Sequence, residues 1–344
     1  MTAFRLPAWQ EAAILTEVPV PVPGPGEVLL KVGGAGACGS DLHLMDWPAG
    51  RLSFEPPFTL GHENAGWVEQ LGPGVQDLRL GDPVAVYGPW GCGRCPACRR
   101  GSENSCEHQA QMGAMGGGLG RDGGVAEYLL VPSARLLLPL GDLDPGDAAP
   151  LGDAALTPYH AIKRSLHRLA PGSSTVVIGV GGLGQLAVQI LNAISPTRVL
   201  AVDRSSSHLE RAAEAGADLC MKPGDDVAGM VRDVTQGRGA DLVLDIVGTD
   251  DTLALAVACG RVEGDVTLVG LAGGSIPFSF FSPPYACSLT STSWGSVGEL
   301  HEVLELARAG RISTTIERFR LDQAPEAYAR LRSGELRGRA VVCP

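Results

Sequence analysis

From about residue 154 onward, short apolar runs alternate with segments of helical periodicity. The runs STVVIGV and TRVLAVD flank GGLGQLAVQILNAI, and the rhythm continues through SSSHLERAAEAG, ADLVLDIVG and DVTLVGL. Apolar runs without polar alternation are typical of strands buried on both faces, and an intervening helix is the usual crossover between parallel strands. The pattern therefore predicts an α/β fold with a doubly wound parallel sheet built from βαβ units.

The first helix of this region begins at a glycine-rich turn. Gly179, Gly181 and Gly184 form G-x-G-x-x-G in VVIGVGGLGQ, with Gly182 and Leu183 between them. Such glycines allow a tight turn, a close approach of the backbone to a pyrophosphate, and close packing of helix on strand. The turn predicts a Rossmann-type dinucleotide site, although a glycine-rich βα turn without a ligand fits the same residues.

An acidic residue ends the next predicted strand. Asp203 is placed where a carboxylate accepts hydrogen bonds from the adenine ribose hydroxyls. Its charge repels a 2′-phosphate, which favours NAD over NADP. The neighbouring Arg204 weakens this preference, because a guanidinium pairs with such a phosphate.

The first part of the chain has a different texture. Short β-like runs such as EVLLKVGGAGAC and DPVAVYG are separated by Pro and Gly turns, which predicts a mainly antiparallel region. The length of 344 residues predicts two domains. We expect a first domain over 1–153, a dinucleotide-binding domain over 154–292, and a return to the first domain over 293–344.

Four cysteines lie within GCGRCPACRRGSENSC, residues 91–106. Cys92, Cys95, Cys98 and Cys106 have the spacing C-x2-C-x2-C-x7-C, which indicates a closed tetrahedral site for structural zinc. An iron–sulfur cluster competes with this interpretation, but the last spacing differs from the ferredoxin pattern and no second cluster motif follows. Unliganded reduced thiols are the third possibility.

Charge and apolar patterning exclude several classes of function. The formal net charge of −11 opposes binding to nucleic acid or anionic lipid. The sequence has no signal-peptide pattern and no apolar stretch long enough to span a membrane, so we expect a cytoplasmic protein. In a reducing compartment its nine cysteines serve as metal ligands, catalytic groups or core residues rather than disulfides.

Three further segments complete the pattern: ACGSDLH at 37–43, TLGHENAGWVEQLGPGV at 59–75 and PLGDAALTPYHA at 150–161. Singly, Cys38 and His62 would be core residues and Asp153 a helix cap. Together with the four cysteines and the glycine turn, they resemble the zinc-containing medium-chain alcohol dehydrogenases along essentially the entire chain. The resemblance implies a mainly β, GroES-like catalytic domain beside the Rossmann domain.

The resemblance also implies two zinc ions per chain. Cys38 and His62 look like ligands of the catalytic zinc, and Asp153 stands where many members supply a second cysteine. Glu63 resembles the family glutamate near the metal and is a possible transient ligand. The open fourth position would receive substrate.

The proton path is inferred from the same resemblance. A metal-bound alcohol has a lowered pKa, so its carbon can release hydride to nicotinamide. Ser40 and His43 match the family relay from hydroxyl through the cofactor ribose to imidazole. Considered alone, they would be a turn hydroxyl and a surface histidine.

Further cofactor contacts are implied at Thr157, near nicotinamide, and at Val247, Val269 and Leu271, which follow strand ends. Arg339 resembles the family's C-terminal basic residue that reaches the pyrophosphate. A solvated charge at the end of a strand explains it equally well.

Substrate and assembly are also expectations from resemblance. Similarity to bacterial secondary alcohol dehydrogenases implies pocket walls at Phe54, Leu119, Leu271, Phe281 and Trp294, which suit a medium-sized or aryl-bearing alcohol or ketone. A polyol or amino-alcohol dehydrogenase of the same family and a non-catalytic NAD- or zinc-binding protein are the alternatives. The segment SIPFSFFSPPYACSLTSTSW resembles the edge through which subunits pair, so we expect a homodimer or homotetramer.

Overall fold

The computed structural model describes all 344 residues. It contains eighteen strands, in chain order β1 (Thr2–Leu6), β2 (Ile14–Glu17), β3 (Val28–Gly36), β4 (Phe58–Thr59), β5 (Glu63–Leu71), β6 (Pro83–Val86), β7 (Gly116–Gly117), β8 (Gly120–Arg121), β9 (Tyr128–Val131), β10 (Leu137–Pro139), β11 (Ser174–Ile178), β12 (Arg198–Val202), β13 (Leu219–Met221), β14 (Ala240–Asp245), β15 (Gly260–Leu268), β16 (Ser288–Ser291), β17 (Ile316–Arg320) and β18 (Arg339–Cys343).

The helices are mostly short. They are α1 (Gly39–Asp46), α2 (Pro96–Arg99), α3 (Pro145–Ala148), α4 (Leu156–Ser165), α5 (Gly182–Ile194), α6 (Ser206–Glu214), α7 (Val227–Val234), α8 (Asp250–Cys259), α9 (Val297–Arg308) and α10 (Ala324–Ser333). Six short 3-10 helices lie at Glu103–Ser105, Gln109–Gln111, Ala134–Leu136, Ala149–Gly152, Leu166–Arg168 and Leu321–Gln323. None of the helices combines the length and the apolar character that a bilayer span requires.

The chain divides into two compact units. The first comprises Met1–Leu156, Trp294–Arg308 and Thr314–Pro344, and the second comprises Thr157–Ser293 and Ala309–Ser313. The chain therefore leaves the first unit to form most of the second, returns to the first, and enters the second again only for Ala309–Ser313.

A six-stranded parallel sheet forms the second unit. Its order is β13-β12-β11-β14-β15-β16, and every pairing is parallel. The sheet order reverses beside β11, which is the usual place for a ligand crevice in a doubly wound fold. Apolar residues of the strands and of α7 and α8 form its core. The predicted doubly wound parallel sheet is thus confirmed, and the short strands β13 and β16 extend it at both edges.

The first unit contains a largely antiparallel seven-stranded sheet and a separate three-stranded sheet, β2-β1-β4. The larger sheet runs β10-β6-β5-β3-β18-β17, with β9 also paired to β3, and its one parallel pair is β17 with β18. In the register of β3 and β5, Gly36 pairs with Glu63. A Cβ at Gly36 would lie 2.0 Å from a carboxylate oxygen of Glu63, so this pairing requires glycine. The register brings the end of β3 beside the start of β5.

Candidate metal centres and dinucleotide-binding turn

Four buried side chains with metal-ligating atoms converge at the end of β3. Cys38 caps the N-terminus of α1, His62 and Glu63 lie at the start of β5, and Asp153 follows the 3-10 turn Ala149–Gly152. One ligand atom from each of the four lies within 4.8 Å of the others. Residues that are far apart in sequence therefore form a single cluster.

Asp153 lies close to two other members of this cluster. Its Oδ2 is 3.8 Å from the Sγ of Cys38 and 3.6 Å from the Nε2 of His62. Sulfur, imidazole nitrogen and carboxylate oxygen are the three donor types that zinc takes in proteins. The three side chains fit a zinc ion and would leave a fourth coordination position open.

Asp41 contacts two members of the cluster, His62 and Cys38. Its fully buried carboxylate lies 3.0 Å from the Nδ1 of His62, and it accepts hydrogen bonds from the Tyr328 hydroxyl at 2.9 Å and from the backbone N–H of Cys38 at 3.1 Å. A carboxylate on Nδ1 favours the tautomer whose Nε2 is free to bind metal. Burial lowers the pKa of His62, but Asp41, Asp153 and Cys38 together raise it well above its usual value.

A buried ion pair adjoins the same cluster. The guanidinium of Arg339 donates to the Oε1 of Glu63, and both side chains are buried. Burial raises the pKa of Glu63 to about 7, with Arg339 opposing that shift and Asp153 adding to it. The other oxygen of Glu63, Oε2, has no hydrogen-bond partner. The structure therefore pairs the predicted pyrophosphate-binding arginine with the predicted transient ligand.

The two predicted relay residues both lie on α1. The hydroxyl of Ser40 is 3.7 Å from the Sγ of Cys38. His43 is half-buried and stacks on Trp47 with 5.5 Å between ring centroids, and the guanidinium of Arg51 lies over the Trp47 ring at 4.4 Å. Burial lowers the pKa of His43, Asp46 opposes the shift and Arg51 adds to it. Burial of the ring therefore favours the neutral imidazole, which is the form that accepts a proton.

The four cysteines of residues 91–106 come together in a separate lobe. The Sγ of Cys98 lies 3.9 Å from that of Cys92 and 3.5 Å from that of Cys95. Backbone N–H groups donate to three of the sulfurs: Cys95 to Cys92, Cys98 to Cys95, and Cys92 to Cys106. Such bonds favour thiolates, and those from the backbone N–H groups of Arg94 and Cys95 lower the pKa of Cys92 to about 5.

A histidine that sequence reasoning missed lies beside this lobe. The Nδ1 of His108 is 3.4 Å from the Sγ of Cys92, and His108 forms a possible metal-binding group with Cys92, Cys95 and Cys106. The lobe therefore offers five donors for the four positions of a zinc site. The available signal was a histidine two residues after the last cysteine.

In the second unit, the glycine turn follows β11. Gly179 has a φ of +86°, and a Cβ there would lie 2.5 Å from Val247. A Cβ at Gly184 would lie 2.1 Å from the carbonyl oxygen of Gly179, so helix and strand pack closely. At Gly181 a Cβ would meet only His208, at 3.8 Å. The open face at Gly181 and the uncapped N-terminus of α5 fit a bound pyrophosphate.

Asp203 lies at the end of β12, beside this turn. Its carboxylate accepts hydrogen bonds from the backbone N–H groups of Val180 and Ser205, both at 2.9 Å. The Nδ1 of His208 lies 3.2 Å from its Oδ2. Burial raises the pKa of Asp203, but these hydrogen bonds, first that of His208, bring it below its ordinary value.

The remaining predicted cofactor contacts also lie in the second unit, except Arg339. Gly182 and Leu183 form the first turn of α5, Thr157 is buried in α4, and Arg204 is exposed after β12. Val247 packs against Gly179. Val269 and Leu271 both follow the end of β15, and Val269 is buried whereas Leu271 is exposed.

Three predicted pocket residues are buried in the first unit. Phe54 packs between Trp9 and Phe58, and Leu119 precedes a glycine that abuts the Phe54 ring. Trp294 meets the His62 ring edge to face, with centroids 6.3 Å apart.

The other two predicted pocket residues belong to the second unit. Leu271 and Phe281 are exposed there, and the ring of Phe281 contacts that of Phe280.

Comparisons with known proteins agree with this architecture. Residues 24–142 match the alcohol dehydrogenase GroES-like domain, and residues 182–309 match the zinc-binding dehydrogenase family. A D-arabinose 1-dehydrogenase (NADP(+)) of Saccharolobus solfataricus is 34% identical over 99% of this chain and 97% of its own. An NAD-dependent alcohol dehydrogenase of Sulfurisphaera tokodaii is also 34% identical, over all of both chains.

A solved structure of an alcohol dehydrogenase has the same fold. The alcohol dehydrogenase of Aeropyrum pernix superimposes with a TM-score of 0.91 at 34% identity, covering all of both chains. With both family domains matched in order and the relatives aligned from end to end, the chain belongs to the zinc-containing medium-chain alcohol dehydrogenase family.

Proposed function

We propose that this protein interconverts alcohols and their ketones or aldehydes by hydride transfer to or from NAD. The expected substrates are secondary alcohols that are medium-sized or carry an aryl group. The observation that carries the proposal is the convergence of Cys38, His62 and Asp153, three buried donors of different type, in a chain that also has a dinucleotide-binding turn. A protein that only binds NAD has no use for such a site.

Each site has a distinct task. Zinc held by Cys38, His62 and Asp153 would supply Lewis acidity to the substrate oxygen. The turn at Gly179–Gly184 would bind the pyrophosphate of NAD, and Asp203 the adenine ribose. In the oxidation, the carbinol carbon gives a hydride to C4 of nicotinamide and the hydroxyl gives its proton to solvent. Alcohol and NAD⁺ thus yield ketone, NADH and one proton.

The proton leaves by groups on α1. We infer that Ser40, beside Cys38, accepts it first and that His43 passes it to water. The lowered pKa of His43 keeps the imidazole available as a base near neutral pH. Trp47 supports this role by fixing the ring orientation through stacking.

The substrate class rests on the apolar and aromatic residues that accompany the metal cluster. Trp294 lies edge-on to His62, and the residue has a φ of +49° that a bulky side chain rarely adopts. Phe54 and Leu119 offer further apolar surface in the same unit. An apolar wall favours aryl and alkyl groups over polyols, whose hydroxyls would lose hydrogen bonds to water.

A substrate panel tests the proposal. NADH formation should be fastest with phenyl- and alkyl-substituted secondary alcohols and much slower with sorbitol, D-arabinose or L-threonine. Faster turnover of a polyol, sugar or amino alcohol would identify the other branch of the family. Ser40→Ala should lower turnover strongly while leaving zinc content unchanged. A chain that binds NADH yet oxidises no alcohol would contradict the proposed activity.

We also infer a homo-oligomer in the cytoplasm. The second unit ends in the edge strand β16, and the neighbouring segment exposes 74% of Phe278, 75% of Phe280, 90% of Phe281 and 69% of Tyr285. Contiguous exposed aromatic side chains beside an unpaired sheet edge support subunit pairing there. Light scattering after size-exclusion chromatography should give a mass of two or four chains, and a monomer would contradict it.

A further inference from the structure

The carboxylate of Asp203 is already engaged by the protein. Its Oδ1 accepts from the backbone of Ser205, and its Oδ2 accepts from the backbone of Val180 and faces His208. A carboxylate has about four acceptor positions, so three of them are used. One position, on Oδ1, remains for the ribose hydroxyls of a bound dinucleotide.

His208 is held in place from its own helix. Ser205 caps the N-terminus of α6, and its hydroxyl accepts from the backbone N–H of His208 at 3.4 Å. About a quarter of the His208 side chain is exposed, at 27%. Its Cε1 lies 3.8 Å from the point where a Cβ of Gly181 would be. The imidazole therefore bridges the ribose-binding carboxylate and the open face of the pyrophosphate turn.

A second cation lies next to Asp203 in the chain. Arg204 is exposed and forms no ion pair in the structure. A free guanidinium can take up a phosphate through two parallel hydrogen bonds. The Asp203 carboxylate therefore has the His208 imidazole in contact with it and the unpaired Arg204 guanidinium next to it in the sequence.

We propose that His208 is a specificity-determining residue that makes this site accept the 2′-phosphate of NADP as well as the free ribose of NAD. The inference rests on the proposed function, since it assigns the cofactor range of the same dinucleotide site.

Discrimination against NADP comes from repulsion between the acidic side chain and the 2′-phosphate. His208 weakens that repulsion in two ways. It occupies Oδ2, which leaves less of the carboxylate to bind the ribose diol. It also places an imidazole, a side chain able to carry a positive charge, beside the position where Asp203 alone would repel the 2′-phosphate.

The test measures binding without catalysis. Titration calorimetry with ADP-ribose and with its 2′-phosphorylated form gives the ratio of the two Kd values. In His208→Ala the Kd for the phosphorylated ligand should rise about tenfold, or about 1.4 kcal/mol, whereas the Kd for ADP-ribose should change less than about threefold. His208→Gln, which keeps a donor to Asp203 but cannot become charged, should show most of the same loss of affinity for the phosphorylated ligand.

His167→Ala is the matched control, because His167 is an exposed histidine in the same unit away from the turn, and its Kd ratio should equal that of the unaltered protein. If both His208 variants bind ADP-ribose with an unchanged Kd ratio, this inference is wrong while the dinucleotide site stands. If neither ligand binds to the unaltered protein, the dinucleotide site and this inference fail together.

Discussion

At the scale of single residues, Asp41 is a buried carboxylate that supports the candidate metal ligands without being one of them. It joins the imidazole of His62, the hydroxyl of Tyr328 and the backbone of Cys38. Two of the proposed ligands are therefore oriented by one buried carboxylate. Removing its charge would free the His62 ring to rotate and would favour the wrong tautomer.

We predict that Asp41→Asn lowers the affinity of the cluster for zinc about 10- to 100-fold. Chelator competition followed by a zinc-sensitive dye would measure the change. Asp46→Asn is the control, since Asp46 lies on the same helix but pairs at the surface with Arg332. Equal retention of zinc by Asp41→Asn and the unaltered protein would show that His62 needs no such support.

Residues differ in how visible their roles are in the sequence. The glycine turn and Asp203 follow from local geometry, because a short motif fixes which backbone positions face a phosphate. Asp41 does not, since its partners are set by tertiary folding, and His108 is indicated only by its place two residues after the last cysteine. Tyr328 is separated from Asp41 by 287 positions, and no local pattern relates the two.

At the scale of elements, the cysteine lobe has little regular secondary structure. α2 is only four residues long, and Cys95 caps it through the backbone N–H of Cys98. So short a helix has little stability of its own, so metal-binding free energy would supply much of the folding free energy of the lobe.

Cys95→Ser should therefore release one zinc per chain and lower the melting temperature. His108→Ala should keep that zinc, because four thiolates suffice for a closed tetrahedral site. Cys220→Ser, which alters a cysteine of the other unit, controls for loss of a thiol. Zinc content and melting curves of the three variants show which side chains bind the zinc of the lobe. Zinc loss from His108→Ala would identify the imidazole as a ligand.

A second element-level interaction ties β17 to the C-terminal segment. Glu317 accepts from the backbone N–H of Arg337 and from the guanidinium of Arg330, both at 2.6 Å. These hydrogen bonds, first that of Arg337, lower the pKa of Glu317 below its ordinary value of 4.5. A carboxyl whose pKa falls on folding stabilises the fold above its unfolded pKa and loses that contribution as pH falls through its folded pKa.

Glu317→Gln should accordingly cost about 1 kcal/mol at neutral pH. The difference from the unaltered protein should shrink as the pH drops below 4.5. Denaturant unfolding at several pH values measures it. Glu335→Gln, at an exposed glutamate nearby, should show no such dependence, and a difference that is constant with pH would rule out the charge as its cause.

Long elements were predictable from sequence and short ones were not. Each of the longer elements fits only one assignment, because buried strands and amphipathic helices space their apolar residues differently. This holds for the apolar runs of β11, β12 and β14 and for the helical periodicity of α5. The edge strands β13 and β16 have three and four residues and are stabilised by pairing with a neighbour rather than by composition. α1 was not predictable from its composition either. Its N-terminus is capped by Cys38 and Asp41, which also belong to or support the buried cluster of Cys38, His62, Glu63 and Asp153.

At the scale of the whole molecule, chemistry is divided between the two units. Both candidate metal sites belong to the first unit, and the glycine turn with Asp203 belongs to the second. Each unit has its own sheet and core, so loss of a metal ligand in one need not disturb cofactor binding by the other. Three properties of the protein should therefore be separable by mutation: turnover, stability and dinucleotide affinity.

Asp153→Asn tests that separation most directly. Neutralising a ligand weakens metal binding and alters its electrophilicity, so turnover should fall at least about 100-fold, while the melting temperature and the Kd for NADH should stay close to those of the unaltered protein. Cys95→Ser should give the opposite pattern, with a lower melting temperature and substantial activity per zinc-loaded chain. Zinc content, melting curves, NADH titration and initial rates of both variants are compared. Full activity with normal zinc content in Asp153→Asn would reduce Asp153 to a structural residue and direct the search for the third ligand to Glu63, whose second carboxylate oxygen has no other partner.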